Sequence, residues 1–176
     1  MATLFTIGHS TRTLNELVSA LNAHAIGTLA DIRAFPASRR LPHFNRESLE
    51  KELPVSGIRY VWMKQLGGYR KRIRGDSPHT ALRSDAFRNY ADYTLTPEFE
   101  QAIGALLTLA ESSRTAYMCA ERLYFQCHRM IVSDWLVAHG HDVLHVDAEG
   151  PVRPHKLSEE ARVIDGKLIY RGDQLF

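Results

Sequence analysis

The sequence contains few cysteines, no long apolar run and no internal repeat. Two cysteines in 176 residues do not make the disulfide framework of a small secreted domain. No apolar stretch approaches the ~20 residues that span a membrane. The first residues also lack a basic stretch followed by a long apolar core. We therefore expect a cytoplasmic protein with free thiols and no membrane partner.

Positive charge is concentrated in the middle of the chain. Residues 33–88 contain 13 Lys/Arg and 5 Asp/Glu, whereas the rest contains 9 and 15, which together give the totals of 22 and 20. Such a basic segment favours an anionic partner, either a nucleotide or a nucleic acid. A solvated basic surface without a specific partner is the alternative.

Short runs of strand-forming residues alternate with segments of helical spacing. Strands are predicted at 4–7, 28–32, 58–62, 116–119 and 142–146. Helices are predicted at 14–25, 46–53, 87–94, from 96 onward and at 128–139. The alternation predicts an α/β fold with a mostly parallel central sheet of about five strands and helices on both faces.

Residues 1–150 are predicted to form a single α/β domain. Beyond Gly150 the pattern changes, and Asp165-Gly166 lies between two short apolar runs, which is a strong signal for a hairpin turn. Residues 151–176 are therefore predicted to be a helix-turn and a short C-terminal β-hairpin that extend the same domain.

Chemically capable side chains follow three of the predicted strands. His9 and Ser10 follow the first strand, Asp31 and Arg33 lie at the end of the second, and the segment 119–129 follows the fourth. In parallel sheets, ligands bind beyond the C-terminal ends of the strands. We expect these groups to form one site at that edge, with Ser10 among its ligand-binding residues.

His9 is a candidate acid or base because the pKa of histidine is near neutrality. A loop histidine bonded to nearby backbone is the alternative. Asp31 is a candidate catalytic residue that could orient His9 or Arg33, and Arg33 could clamp a phosphate or a carboxylate. The alternative for Asp31 and Arg33 is a structural ion pair at the sheet edge.

Cys119 is a candidate nucleophile, since a thiol near a helix N-terminus and arginines has a lowered pKa. An inert buried cysteine is the alternative. Glu121 is a candidate acid or base, Arg122 a candidate clamp, and Cys127 a resolving thiol or a ligand-binding group. The seven residues between the cysteines do not match zinc-finger spacing, so we expect neither a metal nor a cofactor.

Arg129 lies in the first turn of a predicted helix, where positive charge is slightly unfavourable. An anion bound at that helix N-terminus would account for it. The adjacent His128 is a further catalytic candidate. Arg70 and Arg72, in a Gly- and Arg-rich loop at 67–78, are predicted to contact a phosphate-bearing ligand.

Several motifs occur in an order that resembles the domain of unknown function 488 family, over about residues 3 to 147. They lie at Phe5 to Ser10, Asp31 to Pro36, Phe44-Asn45, Leu66 to Gly68, Phe87 to Tyr93, Met118 to Glu121 and Cys127 to Arg129. The resemblance implies a compact α/β fold and no particular activity. The layout of Asp31 to Arg33 and Cys119 is also similar to rhodanese-like domains, which implies sulfur transfer. Glu121 beside the thiol would oppose a thiolate.

Three functional hypotheses follow from the sequence. The first is an enzyme-like site that binds an anionic ligand, a nucleotide or nucleic acid. The second is a thiol-dependent or redox enzyme that uses Cys119, and the third is a non-catalytic nucleic-acid-binding or regulatory module. The residues leave open whether the protein is an enzyme, and they do not indicate its oligomeric state.

Overall fold

The computed structural model describes residues 1–172. The strands are β1 (Thr3–Gly8), β2 (Thr28–Asp31), β3 (Arg59–Trp62), β4 (Thr115–Cys119), β5 (Asp142–Val146), β6 (Arg153–Pro154), β7 (Ala161–Ile164) and β8 (Lys167–Tyr170). The α-helices are α1 (Leu14–Ala23), α2 (Arg46–Glu52), α3 (Asp85–Tyr93), α4 (Pro97–Ser112) and α5 (Arg129–Ala138).

Six strands form the main sheet, in the order β3-β2-β4-β1-β5-β6. All neighbouring strands run parallel except β5 and β6, which pair antiparallel through only two residue pairs. The C-terminal ends of the five parallel strands therefore lie along one edge of the sheet.

Helices cover both faces of the sheet because successive side chains of each strand point to opposite sides. One core packs α1 and α2 against residues such as Ile7, Leu29 and Met118. The other packs α3, α4, α5 and the β7–β8 pair against residues such as Ala30 and Tyr117. The face to which a strand residue points thus decides which helices it meets.

Local signals explain where the helices begin. The Thr13 hydroxyl accepts a hydrogen bond from the backbone N–H of Glu16, whose carboxylate accepts one from the N–H of Thr13, a capping box that starts α1. At the start of α4, the Thr96 hydroxyl accepts a hydrogen bond from the backbone N–H of Phe99. Pro97 occupies the first helical position, where its missing N–H costs nothing.

The predicted fold class is confirmed, and its C-terminal hairpin is present as β7 and β8 with a turn at Asp165-Gly166. Two details differ from the expectation. The sheet gains β6 as a sixth, antiparallel edge strand, and no helix forms between residues 151 and 172. Residues 173–176 of the predicted extension lie outside the described part. Within residues 1–172, no helix has both the length and the apolar character needed to cross a bilayer.

Candidate functional site

A cleft of about 1100 Å³ opens at the edge where the parallel strands end. Four segments form its walls, at 9–11, 33–41, 120–129 and 145–156. Of the residues predicted for the site, the lining includes His9, Ser10, Arg33, Glu121, Arg122 and Arg129. Half of the predicted residues therefore surround one cavity at the strand ends, whereas Asp31, Arg70, Arg72, Cys119, Cys127 and His128 do not line it.

Gly8 allows two of these segments to meet. A Cβ atom at Gly8 would lie 1.8 Å from the carbonyl oxygen of Glu121, so no larger residue fits there. Beyond Gly8 the pairing with the β4 segment continues, because the N–H groups of His9 and Ser10 donate to the carbonyls of Cys119 and Ala120 at 2.9 Å. The glycine of the Gly-His-Ser motif is thus needed for a close backbone approach.

His9, Asp31 and Arg33 form a cluster on the α2 side of the sheet edge. We call it closed because these side chains hydrogen-bond to one another and to backbone carbonyls. The guanidinium of Arg33 donates to both carboxylate oxygens of Asp31, at 2.8 Å from Nε and 2.6 Å from Nη2. Its Nη2 also donates to the Phe44 carbonyl at 2.7 Å, and its Nη1 lies 3.3 Å from Nε2 of His9. Tyr60 donates its hydroxyl to Asp31 as well.

The His9 ring is occupied at both nitrogens. Its Nδ1 lies 2.8 Å from the Ser10 carbonyl, so that nitrogen is the donor, and Nε2 accepts from Arg33. Burial, with Arg33 nearby, lowers the pKa of His9 to about 4. The ring is therefore neutral at neutral pH and stacked on Phe44. These contacts match the structural alternatives for His9, Asp31 and Arg33 more closely than catalytic roles.

Cys119 and Cys127 form a dithiol beneath the cleft. Their sulfur atoms lie 2.8 Å apart, and both cysteines are free. Nε of Arg129 donates to Sγ of Cys119 at 3.1 Å. Cys119 is only 3% exposed, whereas Cys127 is partly accessible.

The hydrogen bond between the sulfurs makes the two thiols unequal. It lowers the pKa of Cys127 and raises that of Cys119, while burial raises the pKa of both thiols. Contacts with His128 and the charge of Arg129 also lower the pKa of Cys127. Cys127 is also the more accessible of the two, so its exposure favours it as the thiol that an external reagent reaches first, whereas the sequence pointed to Cys119.

Arg129 is buried and its donors are used within the protein. Besides the Cys119 sulfur, it contacts the hydroxyl of Thr6 at 3.2 Å and the carbonyls of Glu121 and Arg122. A sulfur and two carbonyls thus account for a cation in the first turn of α5. Arg129 holds the 120–122 loop and polarises the dithiol.

His128 lies apart from the cleft lining. Its Nε2 is 2.9 Å from the carbonyl of Ile32, and a Cβ at Gly68 would be 2.5 Å from its Nδ1. The Leu-Gly-Gly motif therefore makes room for this ring. The backbone contact and the close packing describe a residue that joins β2 to the start of α5.

The rim of the cleft carries both paired and unpaired cations. Arg122 makes a two-pronged ion pair with Asp147, at 2.9 Å for each contact, and Arg12 meets the same carboxylate. The exposed side chains of Arg40, Arg153 and Lys156 form no hydrogen bond or ion pair with any other described residue. Two exposed rings also line the cleft, Phe35 at 70% and Phe125 at 51% exposure.

Arg70 and Arg72 lie outside this cleft. The Arg70 guanidinium stacks 3.6 Å above the ring of Tyr93 and donates to the carbonyls of Gln65 and Gly67. Arg72 lines a second cavity of about 440 Å³ together with His79 and Asp92. Their predicted part in ligand binding would need a ligand that extends along the 67–78 loop.

A second histidine cluster at the cleft was not predicted from the sequence. His145 lines the cleft, and it connects through His155 to the buried carboxylate of Asp134. His145 lies near the end of β5, so the strand-end rule could have found it. Within residues 1–172, no three His, Cys, Asp or Glu side chains are grouped so that they could hold a metal ion.

A protein-family model described as domain of unknown function DUF488 matches residues 13–136. The chain belongs to the DUF488 family. This confirms the family resemblance, while the looser similarity to rhodanese-like domains stays a prediction. No curated protein and no solved structure matches the chain. The stretch matched to DUF488 contains Asp31, Arg33 and both cysteines, whereas His9, His145 and His155 lie outside it.

Proposed function

We propose that the cleft binds an anionic ligand that carries phosphate and a planar ring, namely a nucleotide or a segment of nucleic acid. The observation that carries this proposal is the group of three unpaired cations, Arg40, Arg153 and Lys156, around the cleft. A fixed cluster of like charge attracts counter-charge, and phosphate oxygens suit both Arg and Lys.

The charge of the lining supports an anion. Six Lys/Arg side chains line the cleft against only two acidic residues, Glu121 and Asp147. Arg33 and Arg129 are already used by internal partners, and Arg122 is paired with Asp147. The other three cations supply charge without losing an internal contact, so they are better candidates for ligand contacts than the arginines chosen from the sequence.

Exposed aromatic rings support a ligand with a base. Phe35 and Phe125 present their rings at the cleft, and bases stack on such rings with little sequence preference. Phe35 also contacts Tyr69, with ring centroids 6.1 Å apart. Tyr69 begins the exposed basic segment 69–74, which gives a longer nucleic-acid strand a path away from the cleft.

Binding is best tested with a fluorescent single strand of about 12 nucleotides and with ATP, by anisotropy and competition at about 50 and about 200 mM salt. The variant R153A/K156A should bind the strand about tenfold more weakly. Its salt slope should fall by about 1.4, because each phosphate contact with a single strand contributes about 0.7.

The matched control for this experiment is K51A/K167A, which removes two exposed cations that do not line the cleft. It should bind within about twofold of the parent protein, apart from weak long-range effects that salt screens. Equal losses in both double variants would indicate nonspecific attraction to a basic surface. The absence of binding to either probe would contradict the proposal.

A second candidate function is thiol chemistry at the dithiol, which the contact between the two sulfurs and Arg129 favours. The Cys127 thiolate would attack an external disulfide, form a mixed disulfide and release one external thiol. Cys119 would then attack the Cys127 sulfur, form the Cys119–Cys127 disulfide and release the second external thiol. The protein would lose two protons and two electrons, and the external disulfide would be reduced to two thiols.

Alkylation with iodoacetamide across pH tests this second candidate. Cys127 should react with an apparent pKa below the ordinary value of about 8.5, and the C119S variant should shift that pKa upward because it removes the sulfur partner. Incubation with oxidised glutathione should convert the parent protein into the internal disulfide. Two ordinary thiol titrations, with no internal disulfide, would rule out this function.

A further inference from the structure

A chain of three side chains connects the core behind α5 to the cleft. Oδ1 of Asp134 lies 2.8 Å from Nε2 of His155, and Nδ1 of His155 lies 2.9 Å from Nε2 of His145. Asp134 and His155 are buried, while His145 is half-buried and lines the cleft. The chain lies on the α5 face of the sheet, because His145 shares strand parity with Val143, which packs in that core.

The hydrogen bonds around Asp134 fix the positions of the protons. Asp134 also accepts hydrogen bonds from the N–H and hydroxyl of Ser158, at 2.9 and 2.6 Å, and from the hydroxyl of Tyr170 at 2.8 Å. The Asp134 carboxylate has no proton to donate, so Nε2 of His155 must carry the proton of the hydrogen bond between them. In the neutral form of His155, Nδ1 then accepts from Nε2–H of His145, which leaves Nδ1 of His145 without a proton.

His145 has an available ring nitrogen in the cleft. Its Nδ1 makes no hydrogen bond with any other residue among 1–172, and its ring stacks on Tyr124 at 3.9 Å. Burial is the main cause that lowers the pKa of His145 to about 3, followed by the nearby His155, Arg129 and Arg153. The imidazole therefore carries a free electron pair at neutral pH.

We infer that His145 is the proton acceptor of the cleft, and that His155 and Asp134 are positioning residues which fix its tautomer. This inference rests on the proposed binding of an anionic ligand. A proton from a ligand hydroxyl or a bound water would move to Nδ1 of His145. The imidazolium so formed would donate to His155, which in turn is bonded to the Asp134 carboxylate.

Ligand charge would strengthen this base. Arg129 and Arg153 oppose a positive charge on His145, and a bound phosphate would offset them. The pKa of His145 would then rise towards neutrality only when the cleft is occupied. A purely structural role is the competing explanation, because Asp134 also joins Tyr170 and Ser158 to α5. That role requires neither a free Nδ1 on His145 nor a response to ligand.

Side-chain NMR of protein labelled with ¹⁵N-histidine distinguishes these roles, with H145Q used to assign the resonance. In the free parent protein, His145 should be the neutral Nε2–H tautomer at pH 7. Saturation with the 12-nucleotide strand should raise its titration midpoint by at least about one pH unit. The His9 midpoint should rise less, because Arg33 and the Ser10 carbonyl occupy both nitrogens of that ring and leave none for the ligand.

D134N tests the positioning role, because an amide can donate to His155 and mix the tautomers of His145 while leaving the rim cations in place. If D134N does not fold, the tautomer of the parent protein and its ligand response still decide the matter. Strand binding without a shift at His145, or an Nδ1–H tautomer, would overturn this inference and leave the proposed function standing. If only ATP binds, the His145 midpoint is followed with ATP instead. If neither the strand nor ATP binds, both proposals fail.

Discussion

Two histidine clusters flank the same sheet edge on opposite faces, and they differ in what they leave unsatisfied. On the α2 side, His9 and Arg33 direct their hydrogen bonds to Asp31 and to backbone carbonyls. On the α5 side, Asp134 and His155 are equally satisfied, but His145 keeps one nitrogen for the cleft. The first cluster is closed, and the second is open.

The comparison shows that residue types at a strand end do not define a site by themselves. An aspartate, a cation and a histidine can satisfy one another and then serve mainly to hold three strands together. A group acts on a ligand only if one of its donors or acceptors faces the solvent. The difference predicts that substitutions in the closed cluster affect stability, whereas those in the open cluster affect ligand response.

The largest effect is expected for Asp31→Ala. This change leaves the buried Arg33 guanidinium without its carboxylate and Tyr60 without its acceptor, so the free energy of unfolding should fall by about 3 to 5 kcal/mol. Urea denaturation measures the loss. Asp85→Ala, at an exposed ion pair, is the control and should cost less than about 1 kcal/mol. Similar losses in both variants would show that the Asp31 cluster is not closed.

An intermediate effect is expected from pH. The pKa of His9 falls from 6.5 when unfolded to about 4 when folded. Between pH 6.5 and pH 4, His9 is therefore protonated in the unfolded chain but neutral in the folded protein. Stability from this group is complete above pH 6.5 and is lost between pH 6.5 and pH 4, by about 3 kcal/mol.

The variant H9Q provides the test of that pH dependence. Thermal unfolding of the parent and H9Q should show a steeper decline in the parent between pH 6.5 and pH 4. Parallel curves for the two proteins would mean that His9 takes up its proton as readily in the folded protein as in the unfolded chain. Burial and the charge of Arg33 would then not lower the pKa of His9 in the folded protein.

The smallest effect is expected for Arg122→Ala. Although its ion pair with Asp147 has good geometry, both side chains are substantially exposed, so solvent screens the pair. The urea denaturation midpoint should therefore stay close to that of the parent protein. A clear fall in the midpoint would place Arg122 among the residues that hold the cleft together.

The sequence predicted the frame of the molecule because that frame depends on local patterns. Alternating strand and helix signals, the capping box at Thr13 and the Asp165-Gly166 turn each act over a few residues. The edge strand at Arg153–Pro154 could not be predicted in this way. It contains only two residues, one of them proline, and it exists only because β5 is available to pair with it.

The site was predicted in outline but not in its contacts. The strand-end rule correctly placed His9, Arg33 and part of the 119–129 segment at one cleft. It could not show that the donors of Arg33 and Arg129 are used internally, since contacts such as Arg33 with the Phe44 carbonyl and Arg129 with the Thr6 hydroxyl depend on how separate segments pack. The link from His145 to Asp134 likewise depends on how α5 packs against β5, which no local pattern reveals.

Amide NMR of the parent protein titrated with the 12-nucleotide strand tests the central claim most directly, because it locates the ligand. The largest shifts are expected at Arg40, Phe125, Arg153 and Lys156 around the cleft, with only small changes at Asp31. Shifts confined to the 69–74 segment or to the cavity at His79, with none at the cleft, would contradict the account.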